Sequence, residues 1–226
     1  MNDPTPFIRA QTTLVSPPLV PEIRLHLASE VTPLWRATEA TLAERNVPPP
    51  YWAFAWPGGQ ALARYLLDHP AGVRGRRVLD FAAGSGIVAI AAARAGAAGV
   101  TAADIDPFAA AAIALNAAAN GVEVRIVTED LIDGAPAGPG GAWDLVLAGD
   151  VCYEQPMAGR TTAWLRRLAA ASVNVLLGDP GRTYRPTDGL VEVGRYEVRT
   201  SLDLECRELQ ETVVWQLLPE GGTGRG

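Results

Sequence analysis

No lysine occurs anywhere in the 226 residues, so all 19 basic residues are arginine. GC-rich coding bias accounts for that without any function, since composition is a weak functional signal. Cysteine is scarce as well. Cys152 and Cys206 stand far apart with no Cys-x-x-Cys spacing, which argues against a zinc site or a disulfide framework and leaves free thiols as the expectation. The two histidines, His26 and His69, are read as surface residues, and no Ser/His/Asp set or metal cluster is visible. The longest apolar run, Ile87 to Ala93, is mostly alanine and is closed by Arg94, too short for a membrane span. The first residues carry Asp3 and several prolines instead of a basic start before an apolar run, so no secretory signal is expected and a cytoplasmic location is. Basic runs interleaved with aromatics are missing too, and the net charge is -6, so a nucleic-acid substrate starts at a disadvantage.

What is present suits a globular chain: 48% hydrophobic and 19% charged residues. The length predicts one domain over 1–226, with an N-terminal helical extension (1–70), a core (77–218) and a disordered tail (219–226). Helical spacing is read over Val31 to Asn46, ended by Pro48, Pro49 and Pro50, and over Gln60 to Leu67, with Pro57, Gly58 and Gly59 as a turn before it. Strands then alternate with helices. Arg77 to Phe81, Val100 to Asp104, Val124 to Thr128, Leu145 to Ala148 and Val173 to Leu177 read as strands; Ile87 to Ala95, Pro107 to Asn120 and Thr161 to Ala171 read as helices. The third crossover, with Ala135 to Gly141 in it, is expected to be a loop, and Gly189 to Thr200 with Glu208 to Leu217 an antiparallel pair. The fold class is therefore α/β, a doubly wound, Rossmann-like sheet of seven strands that binds ligands at the carboxyl ends of its parallel strands.

The segment from Val78 to Gly86 puts Gly84 and Gly86 between a buried strand and a helix, where the chain must turn tightly beside a ligand. Taken alone, Gly84-x-Gly86-x-x-Ala89 with Asp104 downstream also satisfies the dinucleotide pattern, which keeps an NAD-dependent oxidoreductase open. Asp80 separates the two readings, because a carboxylate there would repel a pyrophosphate and suit the ammonium group of S-adenosylmethionine. Asp104 would then take the ribose hydroxyls, Ile105 would pack on the adenine, and Asp130 would accept from the adenine amino group or merely cap a turn. With its glycine motif, its acid after the second strand and its terminal antiparallel pair, the chain resembles the seven-strand S-adenosylmethionine-dependent methyltransferases over nearly its whole length. Ala82 departs from that family, which usually has a glycine there, and implies a more constrained cofactor loop.

After the fourth strand stand Gly149, Asp150, Val151, Cys152, Tyr153 and Glu154, where such a fold presents groups to the methyl acceptor. Positive charge grows on the attacking nitrogen during methyl transfer, so a carboxylate beside it, Asp150, stabilises the transition state. Tyr153 offers a ring face or hydroxyl to an alkylammonium, and Glu154 a guide for its approach. Asp150-x-x-Tyr153 resembles the motif of the branch that methylates lysines in non-histone proteins. Tyr51 to Gln60, which holds Trp56-Pro57-Gly58-Gly59, and Gly178 to Tyr184 resemble the group within it that acts on the β subunit of electron transfer flavoprotein. The resemblance implies that protein as partner, Trp56 and Gly149 beside the cofactor, and Arg182 and Tyr184 at the acceptor channel. Rivals are a methyltransferase of a small amine or phenol and a non-enzymatic cofactor-binding scaffold; the short N-terminal stretch and Gly/Pro-rich loop favour an open mouth that a protein can enter.

Overall fold

The computed structural model describes residues 3–29, 49–132, 142–200 and 209–219. The helix expected over Val31 to Asn46, the loop at Ala135 to Gly141, Cys206 and the tail from Glu220 lie outside them. In chain order the elements are α1 (Thr5–Gln11), β1 (Thr13–Val15), β2 (Leu25–Leu27), α2 (Pro57–Asp68), β3 (Arg77–Phe81), α3 (Ile87–Arg94), β4 (Gly99–Ala103), α4 (Pro107–Asn120), β5 (Arg125–Val127), β6 (Leu145–Gly149), α5 (Met157–Ala170), β7 (Asn174–Asp179), β8 (Leu190–Arg199) and β9 (Leu209–Leu217). Among the described residues no helix is long and apolar enough to cross a membrane.

Seven strands form one sheet in the order β5-β4-β3-β6-β7-β9-β8, parallel from β5 to β7 and antiparallel at β9 and β8. The order reverses at β3, so the crevice between its carboxyl end and those of its neighbours is where such a sheet holds a ligand. Near-continuous apolar strands are what a sheet covered on both faces requires. Val78, Leu145, Leu147 and Leu176 pack with Leu62 of α2 and Ile90 of α3 on one face. Their alternates Leu79, Val146, Val175 and Leu177 pack with Trp164, Leu165 and Leu168 of α5 on the other.

The N-terminal stretch adds an antiparallel ladder of β1 and β2 beside its short helix. His26, expected at the surface, is half-buried in β2 because its backbone N–H donates to Asn116 Oδ1 at 2.7 Å, while Asn116 Nδ2 donates to Ser85 O at 2.8 Å. One buried asparagine thus ties the N-terminal ladder to the glycine loop. Trp52 and Phe54 pack with Ile8 and with Ala109, Ala112 and Leu115 of α4, which fixes Tyr51 and Trp56 above the sheet.

The start of α2 differs from the expected turn at Pro57 to Gly59: these residues form the helix's first turn. Proline at the first helical position loses no hydrogen bond, and the glycines are there for contact. A Cβ on Gly58 would lie 2.2 Å from Gly178 O, one on Gly178 would lie 2.2 Å from Gly58 O, and one on Gly149 would lie 2.9 Å from Gly59 N. Backbone therefore meets backbone where α2 sits on the ends of β6 and β7.

Candidate active site

At the switch point lies a cavity of about 550 Å³, lined by Trp56, Gly84, Asp104, Ile105, Asp130, Gly149, Asp150, Tyr153 and Arg182, among others. That size is ordinary for a small-molecule site, which spans about 300 to 1,000 Å³.

On one side the loop after β3 makes its sharp turn through three left-handed residues, Ala82 (φ 53°), Gly84 (φ 52°) and Gly86 (φ 77°). Ala82 carries a side chain in a region that costs about 1 to 2 kcal/mol for an L-residue, the physical content of its departure from glycine. Asp104 Oδ2 accepts the Gly84 N–H at 2.8 Å and Oδ1 accepts the Asp106 N–H at 3.0 Å. Both oxygens are thereby fixed, and each keeps a lone pair beyond the backbone bond it accepts, in a residue that lines the cavity. Burial pushes the Asp104 carboxyl above its ordinary range, while the two backbone N–H groups pull it back. Ile105 is 71% exposed beside it, an apolar surface suited to a flat ring. Asp130 lines the far wall and also closes a turn, accepting the Ile132 N–H at 3.0 Å and lying 3.5 Å from Arg160 Nη2.

Asp80 is not where the sequence puts it. It does not line the cavity; it is 2% exposed beneath the glycine loop and accepts the Ala89 N–H of α3 at 2.9 Å. Burial pushes its carboxyl up to about 8, so at neutral pH it is mostly uncharged. Other residues oppose a pyrophosphate instead. Asp104, Asp106, Glu129, Asp130 and Asp150 line the cavity, against two guanidiniums, Arg160 and Arg182, which pair with Asp130 and Asp150. Such a wall favours a cationic ligand over an anionic one.

On the acceptor side Asp150 occupies a left-handed conformation (φ 57°) just past β6 and is 8% exposed. Its Oδ2 accepts the Gly59 N–H of α2 at 3.1 Å and its Oδ1 the Arg182 Nη2 at 2.9 Å. It thus serves as the cap of α2, which has no side-chain cap of its own at Trp56. Burial raises the Asp150 carboxyl to about 6 against the pull of Arg182 and Gly59. Tyr153 stands at the mouth, 37% exposed, with its ring 5.6 Å from that of Tyr51, whose ring is 6.1 Å from Trp56. Burial holds the Tyr153 phenol well above its usual range, so it remains a neutral donor. Glu154 and Tyr184 do not line the cavity; both are exposed outside it, and the Tyr184 N–H donates to Cys152 O at 3.2 Å, tying their loops together. Cys152 is a free, buried thiol pushed up to about 12.

Sequence reasoning missed the Gly59 N–H, the Asp150–Arg182 pair and the lining by Tyr51, Asp106, Glu129, Met157 and Arg160. Of the lining residues missed, only Tyr51 left a signal, inside the aromatic run before Pro57.

The profile of the Ribosomal protein L11 methyltransferase (PrmA) family matches residues 62–149. The electron transfer flavoprotein beta subunit lysine methyltransferase of Xenopus laevis is 38% identical over 221 residues, covering 96% of this chain and 87% of that one. The chain belongs to this lysine methyltransferase family. The Homo sapiens member is 36% identical over 220 residues, 94% of this chain and 81% of that one. In fold the methyltransferase is similar to magnesium protoporphyrin IX methyltransferase (ChlM) from Synechocystis PCC 6803 with bound SAM, with TM-score 0.52, 21% identity and coverage of 71% and 80%. That structure holds S-adenosylmethionine, and the residues lining the cavity here fit the same methyl donor. Two fixed oxygens on Asp104 suit a vicinal diol, Ile105 a ring, and the acid-rich wall a sulfonium and an ammonium.

Proposed function

We propose that the enzyme methylates a lysine side chain of a protein, the β subunit of electron transfer flavoprotein, with Asp150 facing the acceptor amine. The observation that carries this reading is the buried Asp150 carboxylate at the cavity wall, with Tyr153 and Tyr51 at the mouth. The names of the relatives supply the partner.

When bound, S-adenosylmethionine supplies a methyl group whose C–S bond breaks as the N–C bond to the unprotonated amine forms, the amine's extra proton having left to water. In this reading Asp104 holds the ribose, Ile105 and Asp130 the adenine, and Gly84 and Gly149 border the donor; Gly86, expected beside it, does not line the cavity, and its missing side chain makes room for Ile113 instead. Ala82 shapes the loop, Trp56 closes the side of the cavity and Asp80 braces the loop from below. Asp150 offers negative charge where positive charge grows on nitrogen. Tyr153 and Tyr51 give ring faces to an alkylammonium on its way in. Glu154 and Tyr184, outside the cavity, meet the polypeptide around the lysine rather than the lysine itself. Alignment of donor and acceptor supplies the larger part of the acceleration.

Purified electron transfer flavoprotein, enzyme and labelled S-adenosylmethionine should give a methylated lysine in the β subunit by peptide mass mapping, and the Asp150→Asn variant should give almost none. Label appearing in a metabolite or a nucleic acid, with the β subunit unlabelled, would remove the substrate assignment.

A further inference from the structure

The acceptor side of the cavity already holds a cation belonging to the chain. Arg182 Nη2 lies 2.9 Å from Asp150 Oδ1, and the guanidinium carbon lies 5.9 Å from the centre of the Trp56 ring. Arg182, Asp150 and Trp56 all line the cavity. A carboxylate beside an aromatic face is what binds an alkylammonium, and here an arginine fills that combination. Its backbone is fixed. Asp179 Oδ1, at the end of β7, accepts the N–H of Gly181 at 2.7 Å and of Arg182 at 2.8 Å, which sets the turn that carries the guanidinium. The other oxygen of Asp150 is held by Gly59 of α2. A guanidinium and an entering ammonium cannot both sit on this buried carboxylate without strong mutual repulsion in a site of low dielectric.

We propose that Arg182 is a resident stand-in for the acceptor's ammonium: a positioning residue that keeps Asp150 charged and oriented in the empty site and moves off it when a lysine enters. This rests on the reading that Asp150 faces the acceptor amine, and it replaces a direct substrate contact by Arg182 with an action through Asp150. The groups around Asp150 agree with it. From the end of β7 come Arg182 and Asp179, from its own loop Cys152 and Tyr153, and from α2 the N–H of Gly59; of these Arg182 is the positive charge pulling hardest against the effect of burial.

Two measurements on Arg182→Met test the proposal, with Arg182→Gln in its place if that variant does not fold. Without cofactor at about pH 8.5, where Asp150 is ionised in both proteins, calorimetric binding of n-butylammonium should be about tenfold tighter in the variant, because the resident cation is gone. With cofactor and the protein substrate, the point at which the acid limb of kcat/KM steepens should move from near pH 6 to about pH 7. Both must move. Unchanged or weaker butylammonium binding, or an acid limb that stays in place while KM rises at every pH, overturns the proposal in favour of a substrate-contacting or merely structural arginine. If instead Asp150→Asn keeps full turnover, the underlying reading of Asp150 fails, whatever Arg182 does.

Discussion

Asp80, Asp104 and Asp150 stand at the ends of three neighbouring strands, and burial raises the carboxyl of each, yet their surroundings assign them different work. Asp80, raised to about 8, holds its proton in the folded chain where the unfolded chain has lost it, so the folded state binds more protons between about pH 4 and 8. The stability that Asp80 contributes is therefore fully present below that window and is lost as pH rises through it. Asp80→Asn keeps an acceptor for the Ala89 N–H without the titration. Thermal melts of wild type and variant should thus diverge as pH climbs from 4 to 8, the variant losing less. Parallel curves would show that Asp80 is ionised in both states. Asp150 is poised lower, at about 6, so kcat/KM, which already falls roughly tenfold per pH unit as the acceptor amine is protonated, should steepen to roughly a hundredfold per unit below that value as the Asp150 charge is lost. Asp150→Asn retains an acceptor for the Gly59 N–H and a residue tolerant of the left-handed backbone, and should still cut turnover about 100-fold at pH 8. Asp150→Ala is a poorer probe, because the lost cap adds about 1 kcal/mol of destabilisation. Asp104→Ala should weaken binding of S-adenosylhomocysteine by about 1 to 3 kcal/mol in calorimetry, through lost charge-assisted hydrogen bonds; an unchanged affinity would take Asp104 out of the site.

Among the elements, α2 carries the site although it lies outside the strand and helix alternation. Its first turn touches β6 and β7 backbone to backbone, which only Gly58, Gly149 and Gly178 permit. That contact presents the Gly59 N–H to Asp150 and brings Trp56 onto Arg182. Gly178→Ala puts a methyl 2.2 Å from Gly58 O, where neither partner is a flexible side chain, so α2 must shift off the sheet. A loss of about 3 kcal/mol or more in denaturant unfolding is expected, together with a loss of turnover. Gly72→Ala is the control, since a Cβ there meets nothing within 4 Å, and its effect should stay within about 0.5 kcal/mol. The alternating strands were legible in the sequence because burial on both faces demands continuous apolar runs; β3 and α4 fall on the residues expected. The start of α2 was not. Pro-Gly-Gly reads as a turn to any local rule, and its helical state depends on what it packs against.

Across the whole molecule charge is the dominant feature. A net charge of -6 and a cavity wall with more carboxylates than guanidiniums should draw a lysine on a basic, exposed segment of its partner. Raising salt from about 50 to 300 mM shortens the screening length from about 14 to about 6 Å. KM for the protein substrate should then rise several-fold with kcat nearly unchanged, as steady-state kinetics would record. A kcat that falls with an unmoved KM would place the salt effect on the chemistry instead.

The sequence by itself determined the sheet, its order of strands and helices, the glycine loop and the acids that end the strands, because apolar period, turn chemistry and strand ends are local properties of the chain. Tertiary structure alone decided which of those acids is charged. Asp80 lies near the end of β3 and Asp150 just past β6, but one reaches a backbone N–H of α3, while the other meets a helix end from 91 residues upstream and a guanidinium from 32 residues downstream. A carboxyl's charge is set by how far it is removed from water and by what surrounds it in space, and neither is written within a few residues of its own position.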